Sequence, residues 1–179
     1  MTTSTATERH STENAQEIMA KLREYAFDDL HPLFSEGKTP SFQEIEGDTA
    51  GSFLAWNPQT PGMMKLLTRI GFDNPLARWT GKRFVTRFDE DKRGRGLNLY
   101  QNRILPRRFT FDTCIKKSMF DQNPCLALVY ASFPSPTFGT IDQLRKIEDG
   151  VFLGQGYHKF PWEKEHSFLV YFVLCALRG

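Results

Sequence analysis

The chain has 179 residues, 40% apolar and 13% aromatic, with 23 basic against 21 acidic side chains. That length suits one domain with a sizeable core, and the near-neutral charge excludes a strong polycation or polyanion. The longest apolar run, Phe168 to Leu177, is about half of the roughly 20 residues a membrane helix needs, so no membrane insertion is expected.

Met1 to Thr12 is rich in Thr and Ser and has almost nothing to bury, so 1–12 is expected to be a disordered tail without the apolar stretch of a signal peptide. Ala15, Ile18, Met19, Leu22, Tyr25 and Ala26 follow at three-and-four spacing, which predicts an amphipathic N-terminal helix over 13–34. Pro32 is read as its end, because proline lacks the donor that would continue the ladder.

The rest, 35–179, reads as one β domain. Gly51–Trp56 is a strand, and Thr60-Pro61 starts a short helix carrying Met63, Met64, Leu66, Leu67 and Ile70, read as a lid. Strands are then expected at Trp79–Phe88, Leu97–Gln101, Arg107–Lys117, Cys125–Tyr130, Thr137–Ile147, Val151–Phe160 and Phe168–Leu177. In the third of these, Phe109, Phe111, Thr113 and Ile115 share one face. About eight strands without βαβ alternation predict an antiparallel barrel, since closure removes exposed edges. Such a barrel has room inside for packed side chains or one small ligand.

Two stretches resemble the GXWXG-type proteins, small calycin-like (lipocalin-like) domains. One is Gly51-Ser52-Phe53-Leu54-Ala55-Trp56, followed by the apolar helix and Trp79-Thr80-Gly81-Lys82-Arg83-Phe84. The other runs from Thr140-Ile141-Asp142 through Glu148-Asp149-Gly150 to Leu153-Gly154. The G-x-W-x-G signature itself is absent, with Phe53 at its Trp and Ala55 at its second Gly. The resemblance implies a ligand-holding barrel and supplies no catalytic residues.

The high phenylalanine count, 16, suits an aromatic-lined cavity as well as a core. By strand phase the candidate lining residues are Phe84, Phe109, Phe111, Tyr130 and Tyr157, with Trp56 and Trp79 at one end. Arg145 is the candidate partner for an acidic group on the ligand. If the barrel is instead an enzyme, Asp142, Tyr157 and His158 are the candidate acid–base groups. Parity limits this set, because Tyr157 and His158 are adjacent and Asp142 and Arg145 lie an odd number apart. Surface ion pairing is the plainer reading of them.

Between Arg78 and Lys117 there is a basic excess of +8. A solvated outer face explains it most simply, and nucleic acid is an improbable partner. His158 and His166 have no neighbours at metal-ligand spacing, so neither a metal nor another cofactor is expected. Gly94-Arg95-Gly96 and Gly154-Gln155-Gly156 lack the third glycine of a dinucleotide loop and read as turn or bulge glycines. Three cysteines without CxxC spacing read as reduced thiols of a cytoplasmic protein.

The expected function is binding of a small hydrophobic molecule, one that can carry an acidic group, inside the barrel. The alternative is an isomerase or cyclase of a hydrophobic substrate that uses a single acid–base residue. The oligomeric state is not legible in these residues.

Overall fold

The computed structural model describes residues 14–62, 65–66, 78–85, 94–101, 109–130, 139–160 and 162–177. Eight strands form a closed antiparallel barrel in sequence order: β1 Gly47–Trp56, β2 Trp79–Val85, β3 Gly94–Tyr100, β4 Thr110–Lys117, β5 Pro124–Val129, β6 Thr140–Glu148, β7 Val151–His158 and β8 Ser167–Ala176. β1 closes the ring by pairing with both β2 and β8.

The helical part departs from one continuous helix. Helix α1 spans 14–22, the chain turns over 23–29, and α2 occupies Leu30–Glu36. Pro32 therefore lies in the first turn of a helix instead of ending one, where its missing N–H has no intrahelical partner to lose. Tyr25 and Ala26, expected on the buried stripe, are exposed because α1 stops before them. A third helix, α3 Phe42–Ile45, carries a capping box between Ser41 and Glu44. Its Ser-x-x-Glu signature is visible in the sequence. Helical backbone is described at 62 and 65–66. The rest of the expected lid helix over 61–70, like the tail over 1–12, lies outside the described residues.

The barrel has two faces and two ends. Alternation sends Phe84, Phe111, Leu126, Leu128, Leu144, Phe152, Phe172 and Leu174 inward. The outer face of β1, β7 and β8 is also apolar, and α1 covers it with Ala15, Met19 and Leu22 against Val151, Val173 and Cys175. α2 places Leu30 and Phe34 against Leu153 and Tyr171. α3 stands at the end where β1 begins, with Ile45 in the interior core. At the opposite end, β1, β3, β5 and β7 finish while β2, β4, β6 and β8 begin.

Bulges break strict alternation where it matters. Pairing of β2 with β3 shifts between Trp79 and Gly81. Gly81 has φ +150°, and a Cβ there would sit 1.9 Å from the carbonyl oxygen of Thr49. The extra residue turns both Trp79 and Lys82 inward although they are an odd number apart. A second shift, between Gly156 and Tyr157 against β8, leaves Phe168 outside, stacked on Tyr157 at 4.9 Å. Gly94, Gly96, Gly154 and Gly156 lie within strands, which corrects the turn reading for the first pair. At Gly96 and Gly154 the rings of Phe111 and Phe172 take the space a side chain would fill. Ile115 is half exposed, unlike Phe111 and Thr113 of the same face.

Candidate functional site

Inside the barrel, toward the end opposite α3, four polar side chains meet. Lys82 and Asn98 are cross-strand partners on β2 and β3. Tyr130 follows β5, and Asp142 lies on β6, diametrically across the barrel from β2. Lys82 Nζ donates to Asn98 Oδ1 at 2.8 Å, to Tyr130 Oη at 2.5 Å and to Asp142 Oδ2 at 2.9 Å. The Tyr130 hydroxyl donates to Asp142 Oδ2 at 3.0 Å, and Trp79 Nε1 donates to Asn98 Oδ1 at 3.2 Å.

The walls around this cluster are aromatic. Lys82 Nζ lies 5.2 Å from the ring centres of Phe111 and Tyr130 and 5.5 Å from those of Trp79 and Phe172. Ring faces attract a cation, more strongly when water is excluded. Burial still pushes the ammonium below its ordinary pKa, with Asp142 opposing the shift. Burial first, and then the charge of Asp142, push the phenols of Tyr130 and Tyr100 upward, so both stay neutral at physiological pH. A buried ion pair of this kind is rarely favoured over apolar packing on stability grounds alone.

The residues singled out in the sequence divide between the two faces. Trp79, Phe84, Phe109, Phe111 and Tyr130 gather in or against the interior core, and Asp142 joins them. Trp56 ends β1, stacked near Phe53 at 6.2 Å. His158 ends β7, where its Nδ1 lies 3.0 Å from Thr140 Oγ1, and burial holds its imidazole below the ordinary value. Phe160 packs on His158, and the largely exposed Trp162 stacks on Phe160.

Tyr157 and Arg145 are on the outer face. Tyr157 donates to Gln155 Oε1 at 3.0 Å. Arg145, 1% exposed, makes a two-pronged pair with Asp121 at 2.6 Å per contact and donates to carbonyl oxygens of Phe34, Ser35, Asn123 and Pro124. These bonds tie α2 and the β4–β5 connection to β6. Among the described residues, the cation of the interior cluster is Lys82.

Lys82 and Asn98 are members of the polar cluster that sequence reasoning passed over. Lys82 was one of many basic residues on a strand, yet it shares a face with Phe84 two positions on. Asn98 had no signal beyond its alternation with Leu97 and Leu99.

A groove of about 360 Å³ outside the barrel, lined by Val85, Arg95, Leu97, Asp112 and Val129, has a different character. Its ion pair, Arg95–Asp112, is exposed on both sides. Among the described residues, no group of three or more His, Cys, Asp or Glu side chains is placed to hold a metal. Among the described residues, no helix is long and apolar enough to cross a membrane.

No family model matches the chain, and no curated protein matches it. A crystal structure of a protein from Thermomonospora curvata is similar, with a TM-score of 0.51 at 13% identity over 93% of this chain and 97% of that one. At that identity the likeness shows the shared fold.

Proposed function

We propose that this protein binds one small, mostly apolar molecule inside a calycin-like barrel, its polar end against Lys82, Asn98, Tyr130 and Asp142. One observation carries the reading: a lysine–aspartate pair sits inside an aromatic box, fully within the barrel. Aromatic walls supply area, at roughly 25 cal/mol per Å² removed from water, and a few placed polar groups orient the ligand. The end with Trp56, Trp79, Tyr100 and His158 is the entry side, since α3 occupies the other. Resemblance to GXWXG-type and lipocalin-like domains agrees with a carrier. Buried Cys125 and Cys175, whose thiols burial pushes up to about 11, suit a reducing cytoplasm.

Native mass spectrometry of the purified protein, followed by denaturing extraction, tests this. An extra apolar mass released on unfolding supports the reading. A protein that stays empty against fatty-acid, fatty-alcohol and terpenoid panels overturns it.

A second reading, an isomerase or cyclase, draws on the contact between Asp142, Tyr130 and Lys82, which places a carboxylate and a proton donor side by side. Under it, Asp142→Asn loses turnover of a bound panel compound while binding persists. A carrier loses affinity alone.

A further inference from the structure

We infer that the polar end of the ligand is a neutral hydroxyl that donates a hydrogen bond to Asp142 Oδ1, and that carboxylate ligands are disfavoured. The inference rests on the binding function proposed above and adds the chemical class of the ligand.

Hydrogen-bond accounting decides the class. An ammonium has three protons, and those of Lys82 go to Asn98 Oδ1, Tyr130 Oη and Asp142 Oδ2. The phenolic proton of Tyr130 goes to Asp142 Oδ2. The Asn98 amide nitrogen faces Tyr130 Oη at 3.3 Å and the carbonyl oxygen of Phe109 at 3.5 Å. Trp79 Nε1 is committed to Asn98 Oδ1. Each donor of Lys82, Asn98, Tyr130 and Trp79 has an internal acceptor. The acceptors are not used up: among the described residues, nothing donates to Asp142 Oδ1.

This oxygen is also placed for access. Asp142 is 7% exposed as a residue, and its side chain keeps 10% of its surface against 4% for Lys82. Its cross-strand partner on β7 is Gly156, where a Cβ would lie 3.5 Å from Oδ1. Gly156 itself puts no side chain over the carboxylate, and the nearest neighbour at that spot is Val170 Cγ1, 3.1 Å from where a Cβ would be. A carboxylate oxygen without a protein donor can take a charge-assisted O–H···O⁻ bond, among the strongest available to it. A carboxylate ligand would instead set like charges together, or take Lys82 from a partner it already has. An ether or ester offers only acceptors, and the donors of Lys82, Asn98, Tyr130 and Trp79 already have partners.

The test uses two matched series by isothermal titration: decanol, decanoic acid and decyl methyl ether, then 2-naphthol, 2-naphthoic acid and 2-methoxynaphthalene. The expected result is that the hydroxyl compound of at least one series binds ten-fold or more tighter than its acid and its ether at pH 7.5. Asp142→Asn, confirmed folded by circular dichroism, is expected to reduce that preference about ten-fold. The wild-type comparison stands even if the variant does not fold. Tighter binding of the acids, or equal binding of alcohol and ether, overturns the inference and leaves the binding function standing. Failure of all six compounds together with an empty protein in native mass spectrometry overturns both.

Discussion

Lys82 Nζ and Asp142 Oδ2 face each other at 2.9 Å across the full width of the barrel, from β2 to β6. Neither residue is near the other in sequence, and both side chains are largely buried. Removing one partner of such a pair strands the other, at a cost of about 3–5 kcal/mol, whereas replacing both by apolar groups is often neutral. Lys82→Met is therefore expected to lower unfolding free energy by that amount in urea titrations. Lys82→Met with Asp142→Leu is expected to recover most of it. Full additivity of the two single losses would show that the pair is not coupled.

Arg145 is expected to behave as a fastener of the outer layer. Its planar fork meets both oxygens of Asp121 while also serving four carbonyls, and an ammonium cannot reproduce that geometry. Arg145→Lys is expected to destabilise by about 2–4 kcal/mol, within the range for breaking a buried charged network. Protection of amides in α2 from hydrogen exchange should fall with it. A variant as stable as wild type would contradict the assignment.

Close packing over glycine predicts a third effect. A Cβ at Gly154 would lie 2.3 Å from the Phe172 ring, so Gly154→Ala forces that ring off its position. Overpacking of this kind costs about 1–3 kcal/mol. Phe172→Leu added to Gly154→Ala should return part of the loss. Gly81→Ala should be worse, because its clash is with backbone at Thr49 and its φ is positive. Thermal denaturation of the three variants ranks them.

Glu44 links α3 to Lys146 on β6, and it also bonds the Ser41 backbone and hydroxyl. The Lys146 contact, then the Ser41 bonds, hold its carboxyl at about 2, below the ordinary 4.5. A depressed carboxylate binds fewer protons folded than unfolded, so its stabilisation is complete above about 4.5 and fades as pH falls toward 2. Glu44 keeps a third of its side-chain surface, so solvent screening limits the effect to about 1 kcal/mol or less. Glu44→Gln should flatten that part of the acid limb in pH-dependent urea unfolding. An unchanged slope between pH 4.5 and 2 would refute the link.

Barrel class was legible because alternation and the number of short strands are local signals summed along the chain. Phe109 and Phe111 point inward as their phase requires, and Asp142 and Arg145 take opposite faces because they lie three positions apart on one strand. The candidate site was legible only in part. Phe84, Tyr130 and Asp142 were identified, while Lys82 and Asn98 were hidden because polar residues on strands ordinarily face water.

Length, aromatic content and period-two patterning by themselves determined an antiparallel barrel with a helix packed at its N-terminal side. They could not determine which face each polar residue took near a bulge, because one inserted residue reverses parity beyond it. Gly81 makes that insertion, so Trp79 and Lys82 share the interior. Nor could they say which charges meet, since partners on β2 and β6 are 60 residues apart and come together only when β1 pairs with β8. Closure brings four ordinary polar side chains from four parts of the chain into one buried, hydrogen-bonded cluster.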